Sequence, residues 1–239
     1  LNILENYSFK QEEWESSQYI HKLVMAMKYA FADRSKYIGD PDFFTVPIDW
    51  LLSKKYAREI FNKIDSVTTS SSEILPGQNL GINESQETTH YSIIDKFGNA
   101  VSTTTTLNSS YGSGIVVDGA GFLLNNEMDD FSSKPGVPNQ FGLIGSEANK
   151  IEPGKRMLSS MSPTIVLKED NPFLIVGSPG GSTISTVVLQ VIMNVLDFSM
   201  DIQQAIDMPR IHHQWLPDVI NYEPFGLSLD VIQSLQNMG

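Results

Sequence analysis

Apolar positions recur at helical spacing near the start of the chain. Ile20, Leu23, Val24, Met27 and Phe31 fall on one face, which predicts a helix over about 12–38. Gly39, Pro41 and Pro47 end it, since both residue types weaken a helix interior. A second helix is expected over about 48–64, carrying Leu51, Leu52, Ile60 and Phe61. Residues 65–87, DSVTTSSSEILPGQNLGINESQE, hold few large apolar groups and many turn formers, the composition of a flexible linker. From Thr88 the period changes. THYSIID and AVSTTTTLN flank KFGN in the form of a β-hairpin, and SPTIVLKEDNPFLIVGSPGG reads as a second hairpin rich in β-branched residues. STISTVVLQVIMNVLDF then predicts a helix with Ser182 as N-cap. DIQQAIDM predicts a short helix ended by Pro209, VINYE a strand, and residues 228–238 a last helix. Strands cluster and helices flank them without βαβ alternation, so the fold class is α+β rather than doubly wound. One boundary is expected, between 1–87 and 88–239.

Charge narrows the partners. Sixteen Lys and Arg against 28 Asp and Glu give a net charge of −12, which disfavours nucleic acid and anionic membrane surfaces. The absence of cysteine excludes thiol catalysis, cysteine metal sites and disulfides. No apolar run approaches the ~20 residues of a membrane-spanning helix. The chain opens at Leu1 and reads as a fragment of a longer protein.

Four stretches could carry chemistry. Thr88 is either a strand residue after a loop or, if the Glu87–Thr88 bond is cut, a hydroxyl beside its own α-amine. An amine with a pKa near 8 can take the hydroxyl proton, the threonine-plus-N-terminus form of an activated nucleophile. GSPGGST, 177–183, is a hairpin-to-helix turn, or an oxyanion hole made by the Gly180 and Gly181 N–H groups; it lacks the Gly-Lys-Ser/Thr ending of a phosphate loop. NNEMDDF, 125–131, is a solvated acidic turn, a divalent-metal site through Glu127, Asp129 and Asp130 that lacks calcium-loop spacing, or an ammonium site. RMLSSMSPT offers paired hydroxyls at Ser159 and Ser160. His90, His212 and His213 are scattered, and HHQW reads as structural, because no third ligand sits at zinc spacing.

The order of these stretches is specific where each alone is weak. TTHYSIIDKFGNAVSTTTTLNSSYGSG, GFLLNNEMDDFSSKPGVPN, LSSMSPTIV, VGSPGGSTI and PRIHHQWLPD together resemble the γ-glutamyltransferase (glutathione hydrolase) family of the N-terminal nucleophile hydrolases. The resemblance covers essentially the whole chain. It implies an αββα sandwich, incomplete here, with 1–87 as the end of a large subunit and 88–239 as most of a small one. The family's main carboxylate clamp, an arginine, belongs to an earlier part of the large subunit.

Position by position, the resemblance makes Thr88 the nucleophile and Glu87–Thr88 the self-cleaved bond. Thr106 is its hydroxyl partner. Asn108, Glu127 and Asp130 hold the substrate α-ammonium; many members carry Gln at the place of Glu127, and either can accept from an ammonium. Ser159 and Ser160 hold the α-carboxylate, and Gly180 and Gly181 form the oxyanion hole. Phe141 lies in a lid, 130–142, where other members often carry Tyr. The implied reaction is γ-glutamyl transfer from glutathione and related amides to water, amino acids or peptides, without metal or organic cofactor, in an exported parent protein (periplasmic or extracellular) whose other partner is the rest of the large subunit. While Thr88 is still joined to Glu87 its nitrogen is an amide and no base, so maturation begins with attack of the Thr88 hydroxyl on the Glu87 carbonyl, giving an ester that water opens. Two alternatives stand beside this: an acylase or poly-γ-glutamate transferase of the same superfamily, and a binding fragment that never matures.

Overall fold

The computed structural model describes residues 1–64 and 88–238. The linker 65–87, and with it the expected boundary and the Glu87 junction, lies outside the described residues. Helix α1 spans Ser17–Tyr37. Ser16 starts it, its hydroxyl accepting the Tyr19 N–H at 3.2 Å and so satisfying a donor that helix geometry leaves open. The expected start near residue 12 is too early, because Gln11–Glu13 form a separate 3-10 turn. The expected helix 48–64 is two, α2 (Ile48–Leu51) and α3 (Lys54–Phe61). Ser53 divides them: its backbone is extended and its hydroxyl caps the Tyr56 N–H at 3.1 Å.

The strands are β1 (Thr89–Ile94), β2 (Ala100–Thr105), β3 (Thr164–Lys168), β4 (Asn171–Val176), β5 (Ile211–His212) and β6 (Asn221–Tyr222). Among the described residues they form three two-stranded antiparallel sheets, β1–β2, β3–β4 and β5–β6. Helices α4 (Ile184–Leu196), α5 (Ile202–Asp207) and α6 (Leu229–Met238) complete the set, a mixture of helix and strand in line with the α+β reading. Ser182 is not the cap of α4. It sits inside a 3-10 turn, Gly181–Thr183, and Thr183 occupies the cap position without a side-chain bond.

Helix α4 is apolar on two sides because it is sandwiched. One side joins Met193 to Leu23, Val24 and Met27 of α1; the other packs Val188, Val191 and Ile192 on Leu174 and Val176 of β4. Each such side chain contributes about 1.5–3 kcal/mol on burial. A third cluster joins Phe31 and Ala32 of α1 to Ile144, Trp215 and Leu216. Residues before and after the linker thus share one core.

A charged clamp reinforces that junction. Lys28 of α1 is wholly buried, with Nζ 2.8 Å from Asp218 Oδ1. His213 meets the same oxygen at 3.2 Å through Nε2, while its Nδ1 accepts the Trp215 N–H at 3.1 Å. That backbone donor fixes the tautomer: Nδ1 is the acceptor, so Nε2 carries the proton given to Asp218. Removing Asp218 takes the carboxylate from a wholly buried ammonium, whereas replacing Lys28 leaves a carboxylate that is 36% exposed and stays hydrated. Asp218→Ala is therefore expected to lower unfolding free energy by about 3 kcal/mol, and Lys28→Met by clearly less; denaturant titration of both variants checks the order, and equal losses contradict it.

Candidate active site

Hairpin register places the two threonines. Thr89 pairs with Thr105, so the next residues outward, Thr88 and Thr106, leave the ladder side by side. Their hydroxyl oxygens lie 3.3 Å apart, and either can be the donor because hydroxyl protons rotate. Thr106 Oγ1 also accepts the Asn108 N–H at 2.9 Å, a side-chain turn that bends the strand end. Asn108 is buried and adopts φ 76°, a left-handed conformation that Asn tolerates better than most residues. Its side-chain amide donates to the Asn126 carbonyl at 3.3 Å. A pocket of about 280 Å³ opens on Thr88, lined by Thr89, Thr105, Thr106, Leu107, Ser109 and Ser110.

Side chains of β1 and β2 reach the second hairpin. Ser92 Oγ donates to the Ile175 carbonyl and Ser102 Oγ to the Val176 carbonyl, each at 3.2 Å. His90 bonds Thr104 at 2.8 Å and Ser92 at 3.0 Å, and burial lowers its pKa. Its ring rests on Gly177, where a Cβ would lie 2.2 Å from ring atoms. The glycine turn therefore begins beside the strand that Thr88 opens. Gly180 and Gly181 follow with φ 129° and 54°, and a Cβ on Gly180 would meet Thr183 Oγ1 at 2.4 Å. Only glycine fits there. Neither residue lines the Thr88 pocket; Gly180 lines a larger groove of about 630 Å³ with His212 and Tyr222.

The acidic stretch is a 3-10 turn, Glu127–Asp130. Asn126 ties it to the threonines: its N–H donates to the Leu107 carbonyl at 3.1 Å, and its Oδ1 accepts the Ser109 N–H at 3.0 Å. Asn149 ties it to the serines, donating to the Asp130 carbonyl at 2.7 Å and accepting the Leu158 N–H at 3.1 Å. Burial, then Glu127, raises the Asp130 pKa to about 7, against the pull of Arg34. Burial also raises that of Glu127. Ser159 Oγ accepts the Met161 N–H at 3.1 Å. Ser160 Oγ accepts from Arg34 Nη2, also at 3.1 Å.

The lid segment is pinned to this turn, since the Gln140 N–H donates to Asp129 Oδ2 at 2.9 Å. Phe141 is buried rather than spread over the Thr88 pocket. Its carbonyl accepts from Gln214, which also accepts from His212 Nε2 at 2.9 Å; the Gln214 amide is fixed by its bonds to carbonyls, so Nε2 must carry the ring proton. His212 Nδ1 meets Thr186 Oγ1 at 2.8 Å. Burial holds the His212 pKa down at about 4, and both rings of HHQW are engaged structurally.

Sequence reasoning missed Arg34. It continues the buried face of α1, three residues beyond Phe31, and a cation on an apolar stripe was the available signal.

Against this geometry, relatives assign the class. The model of the Gamma-glutamyltranspeptidase family matches residues 1–239. The chain is 51% identical over 240 residues to the glutathione hydrolase proenzyme of Escherichia coli K12, covering all of this chain and 41% of that protein. It is 49% identical over 244 residues to that of Pseudomonas aeruginosa, covering all of this chain and 43% of that protein. A mutant gamma-glutamyltranspeptidase of Helicobacter pylori superposes with TM-score 0.62 at 63% identity, over 63% of this chain and 81% of that one. A cephalosporin acylase of Bacillus halodurans superposes over the whole chain and 40% of its own, with TM-score 0.78 at 28% identity. The chain belongs to the gamma-glutamyltranspeptidase family, and it spans about two fifths of the length of the curated relatives it matches.

The raised Asp130 pKa has a stability consequence. An unfolded Asp titrates near 3.9, so between about pH 4 and 7 the folded state keeps a proton that the unfolded state has lost. Stability falls as pH rises through that window and stays lowered above it. Asp130→Asn is expected to stabilise the unliganded protein at pH 8 by about 2–4 kcal/mol, with the gain vanishing below pH 4. Thermal unfolding at both pH values checks this; a pH-independent effect contradicts it.

Proposed function

We propose that the full protein is a self-cleaving γ-glutamyltransferase and hydrolase acting on glutathione and other γ-glutamyl amides. The observation that carries this reading is the Thr88–Thr106 contact at the mouth of a pocket, in a chain of this family. Cleavage before Thr88 frees an α-amine with a pKa near 8, which accepts the hydroxyl proton as Oγ1 attacks the substrate γ-carbonyl. Thr106 donates to the Thr88 oxygen as it gains charge. The tetrahedral oxyanion is received by the Gly180 and Gly181 N–H groups. Collapse breaks the C–N bond, and the proton leaves with the amine. Water then attacks the threonine ester to give glutamate, or an amino acid or peptide attacks to give a new γ-glutamyl product.

Charge and hydrogen-bond type support the assignment of the substrate head. Asp130, Glu127 and Asn108 supply acceptors for an α-ammonium, and Ser159 and Ser160 supply donors for an α-carboxylate. The reaction as read needs no cofactor. Cephalosporin acylase chemistry is the second reading, suggested by whole-chain superposition; the higher identity to glutathione hydrolases and the ammonium-binding acid at Asp130 favour the first. In the first reading an αββα sandwich is completed by the rest of the protein. Tyr91, Ile93, Ile94 and Val101 of one hairpin and Ile165, Leu167 and Phe173 of the other are exposed, apolar faces suited to such a cover. Export of the parent protein is part of the same proposal and rests on family resemblance.

Turnover of a γ-glutamyl anilide by the full-length protein tests the function. Thr88→Ala is expected to abolish both subunit formation and turnover, since one hydroxyl serves both; two subunits in that variant contradict the proposal. Asp130→Asn removes a charged hydrogen bond of about 1.5–3 kcal/mol. A tenfold to hundredfold fall in kcat/KM is expected for γ-glutamyl amides, and little change for glutaryl amides, which lack the ammonium. Equal losses for the two substrates confine Asp130 to a structural role.

A further inference from the structure

We propose that Arg34 is a positioning residue of the substrate-head site, orienting the Ser160 hydroxyl as a donor towards a carboxylate. This rests on the γ-glutamyl reading above. Arg34 Nη2 donates to Ser160 Oγ at 3.1 Å. With one lone pair of that oxygen engaged by a cation, the hydroxyl proton points away from the guanidinium, and a carboxylate is the partner it suits. The same guanidinium acts on Asp130 through space. Burial, then Glu127 and Asp129 of the acidic turn, raise the Asp130 pKa, and Arg34 of α1, which lines the same crevice, opposes them. One arginine therefore sharpens a donor for the carboxylate and opposes protonation of the acceptor for the ammonium.

Arg34 does this without touching the substrate. The crevice that it shares with Asp130, Asn149 and Leu158 has a volume of about 10 Å³, close to the minimum for a single water and too small for a carboxylate. The guanidinium is also fixed in place. Burial lowers its pKa to about 10, against the opposing pull of Asp130, so it stays charged at neutral pH. Gly39 lets the end of α1 press on the 147–149 turn, where a Cβ would lie 2.1 Å from the Ala148 carbonyl oxygen. Asp40 binds Arg156 through its backbone N–H at 2.8 Å and its guanidinium at 2.6 and 3.0 Å. That clamp holds the segment carrying Ser159 and Ser160 against the helix end that presents Arg34.

The test uses matured full-length enzyme and a γ-glutamyl anilide. Arg34→Gln is expected to raise KM about tenfold, as loss of a charge-assisted hydrogen bond does, and to change kcat less than about threefold, since the reacting atoms are untouched. Removing the cation raises the Asp130 pKa towards that of the Thr88 amine, so the acid limb of kcat/KM shifts to higher pH and steepens. Arg34→Lys keeps the charge and is expected to restore the acid limb while recovering KM only in part, because an ammonium lacks the planar fork. In a Ser160→Ala background the Arg34→Gln effect on KM shrinks while the acid-limb shift persists. An unchanged acid limb in Arg34→Gln, or loss of kcat with KM preserved, overturns the proposal. Failure of both Arg34 variants to mature overturns it too, because a residue that only orients the substrate groups leaves maturation intact. Absence of γ-glutamyl turnover in the wild-type enzyme is a separate result and defeats the underlying functional reading instead.

Discussion

The proposed chemistry of this chain depends on the register of one hairpin. Pairing of Thr89 with Thr105 brings Thr88 and Thr106 out of the ladder together, and a slip by one residue would send every side chain of the strand to the opposite face. The register is secured from outside the hairpin as well as within it. Ser92, Ser102 and His90 of β1 and β2 reach the backbone of the second hairpin, and that hairpin is nailed to α4 by its apolar face. The glycine turn lies between the second hairpin and α4. The candidate nucleophile and oxyanion donors are thus placed by the same packing that builds the core.

The substrate-head region obeys a different logic. Asp130 is a carboxyl held in partial burial beside two other acids, and its proton affinity shows the cost. Such a group lowers the stability of the empty protein, as functional sites commonly do. Backbone ties from Asn126 and Asn149 hold the acidic turn in place despite that cost. In the proposed function an arriving ammonium supplies the charge the turn lacks.

Much of the local structure was legible in the sequence. Periodicity found α1 and α4, whose apolar positions share a face, while turn residues between β-forming stretches marked both hairpins. It missed the break at Ser53, since a cap inside a continuous apolar pattern is invisible to periodicity. It misplaced the α4 cap by one residue, because two successive glycines with positive φ add a 3-10 turn before the helix. The ordered motifs led to Thr88, Asp130 and the serine pair, and the structure joins those elements through Asn126, Asn149 and Arg34. Those three joining residues were not legible. Their roles depend on contacts between distant segments, and an isolated Asn or Arg carries no periodic signal. Lys28 escaped notice for the same reason, and His213 was read as structural without its Asp218 partner.

The central claim is that Thr88 becomes a free N-terminus whose hydroxyl carries the acyl group. Brief exposure of the full-length protein to a γ-glutamyl anilide, acid quenching and mass analysis of its peptides test this most directly. The account predicts a covalent γ-glutamyl group on a peptide that begins at Thr88 and continues through Thr89, His90 and Tyr91. A γ-glutamyl group on any other residue, or a labelled peptide in which Thr88 is still joined to Glu87, would contradict it.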